Sequence, residues 1–190
     1  MTETTFFKAR LYFTGIVALA IWSLLTWNHY HGGVPSHHLL AREDLPSFSN
    51  WWGGLLVPLL AWFLSYQVQK RIYHGAEKNS KEVNLPASVL YGFFGALLFG
   101  IVISIFFTFG NEDMPSYMMM GLLALALSFP IYRAECFLGF VISMTFTFGG
   151  VLPIIIGSIL ALLGVVLYLI VRPTIVLIWT KLMNGATLIK

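Results

Sequence analysis

Apolar residues run along this chain in long uninterrupted blocks, and charged ones gather in short clusters between them. Stretches free of Asp, Glu, Lys and Arg cover roughly 11–30, 51–69, 87–110, 114–132 and 136–171. A helix needs about 20 apolar residues to cross the hydrocarbon core of a bilayer, so each of the first four blocks predicts one span. The last block is long enough for two. The sequence FGGVLP at 148–153 supplies its break, because two glycines tolerate unusual backbone angles and Pro153 suits the first turn of a new helix. The expected spans are approximately 11–30, 51–69, 87–110, 114–132, 133–149 and 152–171, the fourth and fifth being short. The remainder, 172–190, is apolar but too short to cross again, and reads as a cytoplasmic or interfacial tail that either extends span 6 after a bend at Pro173 or lies in the interface with Trp179 as an anchor. Lys8 and Arg10 precede an apolar run as they would in a signal peptide, but that run is long and no small-residue cleavage site follows, so it is expected to remain as the first helix.

The loops between these blocks differ in charge, and the difference assigns them to sides. Lys8 and Arg10 precede span 1, Lys70, Arg71, Lys78 and Lys81 follow span 2, Arg133 separates spans 4 and 5, and Arg172, Lys181 and Lys190 follow span 6. The intervening loops carry Arg42 beside Glu43 and Asp44, then Glu112 and Asp113, then no charge. Lysine and arginine favour the cytoplasmic side, which places both termini inside, in a plasma or inner membrane. Trp27, Tyr30, Trp51 and Trp52 then fall at the outer interface, where amphipathic rings concentrate. The outer stretch SHHLLARED, between Pro35 and Pro46, has the composition of a short helix lying on the membrane surface.

The chain also repeats itself. Residues 98–110 read LFGIVISIFFTFG and residues 137–149 read FLGFVISMTFTFG, identical at 8 of 13 positions without a gap. Each copy is followed by a proline, Pro115 or Pro153. The fold class expected is therefore an all-α integral membrane protein of about six transmembrane helices arranged as tandem hairpins. Spans 3–4 and 5–6 form a parallel internal repeat, since a unit with an even number of spans keeps its orientation.

Composition agrees: 58% of the 190 residues are hydrophobic and 10% charged, against about 25% charged in an average soluble domain. One transmembrane domain results, with the lipid bilayer as its main partner. The net charge of +3 lies in the topology-setting clusters, so nucleic acid is not an expected partner. The single Cys136 excludes an intrachain disulfide.

Three constellations bear on function. Gly100, Ser104 and Thr108 recur at a spacing of four, as do Gly139, Ser143 and Thr147, which puts each trio on one helix face. Such stripes either pack helices closely or line a path for a solute. His29, His31, His37, His38, Glu43 and Asp44 crowd the first outer loop and are suitable ligands for a divalent metal, although their spacing matches no fixed zinc signature. Arg133 and Glu135 form a charge pair at the inner face, read as a snorkelling arginine with a local partner. No nucleophile–base pair, phosphate loop or dinucleotide fingerprint appears, which argues against an enzyme.

Three functional readings follow. The first is a channel- or transporter-like protein for a small neutral or lipophilic solute, since no charged residue lies in the middle of a span. The second is a non-catalytic scaffold or accessory subunit, in which the stripes meet each other, a second copy of the chain or another membrane protein. The third is a membrane enzyme with an outward-facing His/carboxylate metal site.

Overall fold

The structure is a computed structural model and describes residues 3–34, 36–38, 47–75, 85–111 and 113–187. Among these the chain forms six helical rods: α1 (Glu3–Tyr30), α2 (Gly53–Gly75), α3 (Ala87–Thr108), α4 (Asp113–Ala126), α5 (Ala134–Phe148) and α6 (Val151–Val166). The last rod does not stop at Val166. It passes through a π-helical turn, Leu167–Val171, into α7 (Arg172–Thr187), so the tail continues α6 rather than turning away at Pro173. Three rods are long and apolar enough to cross a membrane: Glu3–Tyr30, Ala87–Thr108 and Val151–Lys181. Helix is the expected choice in lipid, because each backbone N–H and C=O then finds its partner within the segment. α4 and α5, with 14 and 15 residues, are only about 21–23 Å long at 1.5 Å per residue.

Between α1 and α2, Ser36–His38 (β1) and Ser47–Ser49 (β2) pair antiparallel, with Ser36 opposite Ser49 and His37 opposite Phe48. The first residues of SHHLLARED are thus extended rather than helical, and the rest of that stretch lies outside the described residues.

Successive rods alternate in direction. The start of α1, the end of α2 and the starts of α3 and α5 meet at one end: Phe6 lies edge-on to Tyr73, Val89 packs with Val68 and Ile72, and Arg71 bonds Glu135. The opposite helix ends meet at the far end, where Trp22 faces Trp51 and Phe107 faces Phe148. There the glycine pairs 53–54 and 149–150 come together, since a Cβ on Gly53 would lie 3.0 Å from the Gly150 Cα. Gly149 ends α5 at φ 73 and ψ 174, a region open essentially to glycine alone. The side chain of Asn50 fills the place a Cβ would take there.

α5 is the centre of the bundle, packed against α2, α3 and α6. Its buried residues include Leu138, Phe140, Val141 and Met144, and large exposed apolar side chains on α1, α3 and α6 point outward. A burial pattern of this kind suits rods surrounded by lipid and held together by close van der Waals fit rather than by exclusion of water.

The two similar segments share local geometry. Gly110 and Gly149 take φ of 74 and 73, and Pro115 and Pro153 each stand third in the helix that follows, α4 or α6. Their mutual packing is not the contact that a two-fold axis would make. Facing residues of α3 and α5 lie 43 positions apart (Gly92 with Glu135, Gly100 with Ser143), whereas the similar segments are offset by 39. The helices run parallel but one turn out of step.

Candidate functional site

The Gly/Ser/Thr stripes of α3 and α5 touch at Gly100 and Ser143, while Gly139 meets the α3 backbone and Thr108 is exposed. On α3, Gly100 leaves room that the Ser143 hydroxyl fills, with the Met144 Cγ 3.2 Å from where a Cβ would stand. On α5, Gly139 sits against the Phe93 carbonyl and 3.1 Å from the Leu97 nitrogen by the same measure. Ser143 donates to the Phe140 carbonyl at 2.9 Å and Thr108 to the Ser104 carbonyl at 2.8 Å, each within its own helix. Ser104 is buried, and its hydroxyl has no hydrogen-bond partner. Thr147 borders a small cavity of about 120 Å³ at the far end, together with Asn28, Asn50 and Thr145.

The histidines between α1 and α2 are not drawn together where they are described. His31 stacks on Trp27 at 3.8 Å, with Nδ1 2.9 Å from the Trp27 carbonyl. His29 presents its edge to Trp51 and to Tyr30. Two residues apart on a helix, the rings project about 200° apart. No group of three or more His, Cys, Asp or Glu able to hold a metal occurs among the described residues. The side chains of His37 and His38, and residues Glu43 and Asp44, lie outside them.

The charges at the other end are arranged differently from the sequence expectation. Glu135 takes its partner from another helix: Arg71 Nη2 donates to Glu135 Oε1 at 2.8 Å. Arg133 precedes the helix at φ −67 and ψ 147 and forms no ion pair among the described residues. Glu135 is 2% exposed, and its Oε2 is buried without a partner. Arg133 stands as the capping residue at the start of α5, half-buried and without a side-chain cap bond. A second cation is enclosed as well. Arg10, 8% exposed, donates from Nη1 to Gln69 at 3.1 Å and lies 3.9 Å above the Trp62 ring, with Phe7 and Tyr66 at its sides. Aromatic faces attract a desolvated cation by about 2 kcal/mol or more, which accounts for a guanidinium so far from water.

Sequence reasoning missed an opening in the bundle. A cavity of about 540 Å³ lies among α3, α4, α5 and α6, within the roughly 300–1,000 Å³ usual for small-molecule sites. Leu122, Phe99, Phe140 and Leu160 form its apolar wall, which Gly92, Gly95 and Gly157 also border. Its polar residues Ser88, Arg133, Glu135 and Cys136 gather at the end where α3 and α5 begin. Gly92 is what allows this approach, since a Cβ there would stand 3.0 Å from the Glu135 Cγ and 3.1 Å from the Cys136 Sγ. Gly95 differs, because no atom lies within 4 Å of its Cβ position. Small residues one turn apart on α3 were the available signal, but it cannot be told from a packing stripe without knowing what faces it.

These features define an all-α protein with three helices able to cross a membrane and a cavity that is apolar with one polar end. Comparison with protein-family models, with curated proteins and with solved structures finds no match.

Proposed function

We propose that the chain is a multi-pass membrane protein that takes a small lipophilic solute into the cavity among α3, α4, α5 and α6. The observation carrying this reading is the cavity itself: about 540 Å³ of apolar-walled space with its polar residues at one end. The Gly/Ser/Thr stripes then serve helix packing, and the route for the solute is bordered by Gly92, Gly95 and Gly157 instead. All six rods cross the bilayer in this reading, with the basic helix ends in the cytoplasm, a placement supported by the clustering of Lys8, Arg10, Lys70, Arg71 and Arg133 toward one end. The shared glycine φ and the shared proline position support descent of α3–α4 and α5–α6 from one duplicated hairpin, whose copies have since slipped by a turn.

A second reading, the non-catalytic scaffold, is favoured by the dry contact of Gly100 with Ser143. The two are separated by measuring binding and efflux of a neutral lipophilic dye in proteoliposomes, with wild type and Gly95→Leu. Saturable binding and efflux that Gly95→Leu abolishes support the solute reading. Binding no greater than in protein-free vesicles supports the scaffold.

A further inference from the structure

We infer that the cavity selects a single-chain amphiphile with an anionic head, its chain against the apolar wall and its head at Arg133; this rests on the proposed lipophile site. The first support is the separation of polarity within one cavity. Ser88, Arg133, Glu135 and Cys136 occupy the end formed by the starts of α3 and α5, while Leu122, Phe99, Phe140, Gly157 and Leu160 line the remainder. A molecule with one polar terminus and a long apolar body matches that division, whereas a uniformly apolar solute would leave the polar end unanswered.

The sign of the head follows from charge accounting at that end. Glu135 is already engaged by Arg71 at 2.8 Å. Arg133 lines the same space and forms no ion pair with any carboxylate among the described residues. Arg71 and Arg133 together exceed Glu135 by one positive charge, and a planar guanidinium binds carboxylate or phosphate through paired donors. Being only half-buried, Arg133 remains reachable from the headgroup region of the membrane. The Ser88 hydroxyl adds a further donor on the same wall. Room for one chain argues for a single-chain occupant over a two-chain phospholipid, since about 540 Å³ lies in the range for one drug-sized molecule.

The test compares palmitate with hexadecanol, which has the same chain length and an uncharged head. Equilibrium binding is measured at alkaline pH on the full chain in zwitterionic nanodiscs, with empty nanodiscs as background. Palmitate is expected to bind about 10-fold or more tightly than hexadecanol, the worth of a charge-assisted hydrogen bond. Arg133→Gln should remove that advantage by weakening palmitate far more than hexadecanol, and Arg133→Lys should restore most of it. Equal affinity for both probes, or palmitate binding indifferent to Arg133→Gln, overturns the inference; if Gly95→Leu still abolishes hexadecanol binding, the lipophile site itself survives. Absence of binding by either probe, or binding that Gly95→Leu does not reduce, removes both. If nanodiscs of phosphatidylglycerol displace palmitate, the occupant is a bilayer phospholipid, and the single-chain assignment is overturned.

Discussion

Arg71 of α2 and Glu135 of α5, 64 residues apart in sequence, join through a 2.8 Å ion pair whose carboxylate is 2% exposed and whose guanidinium is 40% exposed. The pair ties the α1–α2 hairpin to the central helix at the end where the basic residues gather. Its two members are not equivalent. Removing Arg71 strands a buried negative charge, whereas Glu135→Gln leaves a half-exposed guanidinium that water can still serve. Breaking a buried pair by deleting one partner costs about 3–5 kcal/mol, and the exposure of Arg71 puts this pair at or below the lower figure. Arg71→Gln is therefore expected to lower the midpoint of thermal unfolding in detergent clearly more than Glu135→Gln, and the double variant should recover part of the loss. Equal effects of the two single variants would contradict the asymmetry.

The glycines of α3 and α5 divide into those that make room for a neighbour and those that face open space. Gly139→Leu drives a side chain into the backbone of α3 at Phe93, and Gly100→Leu meets Ser143 and Met144. Both should lose several kcal/mol, in line with severe overpacking of a core, and Gly139→Leu more because backbone cannot rotate away. Gly95→Leu, with nothing within 4 Å, should leave thermal stability within about 0.5 kcal/mol of wild type. Stability of all three variants in detergent decides the matter, and equal tolerance of Gly139→Leu and Gly95→Leu would be incompatible with the α3–α5 contact.

At the far end, Gly149→Ala is expected to destabilise by about 1–3 kcal/mol through backbone strain alone, with the blocked space beside Asn50 adding to it. The variant Asn50→Ala/Gly149→Ala separates the two terms, because it relieves the collision and keeps the strain. Full recovery in the double variant would show that φ of 73 carries no cost here.

Much of the fold was legible because lipid punishes unsatisfied backbone so heavily that a long apolar run has one solution. The boundary at Gly149–Gly150 could be read for the same reason, since two glycines before Pro153 offer a turn that no other residues in the block allow. The tail was less legible: the sequence left open whether it extends span 6 or lies in the interface, and a π-helical turn over Leu167–Val171 carries the helix on through Arg172 and Pro173. At the candidate site the alternation of stripe residues was visible, and their partners were not. Spacing of four states which residues share a face, not what the face meets. The pairing of Glu135 with Arg71 rather than Arg133, the close contact at Gly92 and the space beside Gly95 depend on how α3 and α5 slide past each other. That slide is set by tertiary fit and leaves no mark in either segment alone.

Cys136 supplies a built-in reporter, as the chain's single cysteine and a partly buried member of the cavity wall. Alkylation by N-ethylmaleimide in intact nanodiscs should slow several-fold when hexadecanol occupies the cavity, and slow similarly in Gly95→Leu without any ligand. A rate unchanged by either would place the thiol outside the occupied space.

Photo-crosslinking addresses the lipophile site most directly. The full chain in nanodiscs is irradiated with a neutral alkyl diazirine, and the modified residues are mapped by mass spectrometry. The account predicts saturable adducts concentrated on the cavity wall, at Phe99, Leu122, Phe140 and Leu160, that disappear in Gly95→Leu. Adducts spread over the lipid-facing positions Leu19, Leu98 and Leu162, unsaturable and unchanged in the variant, would contradict it.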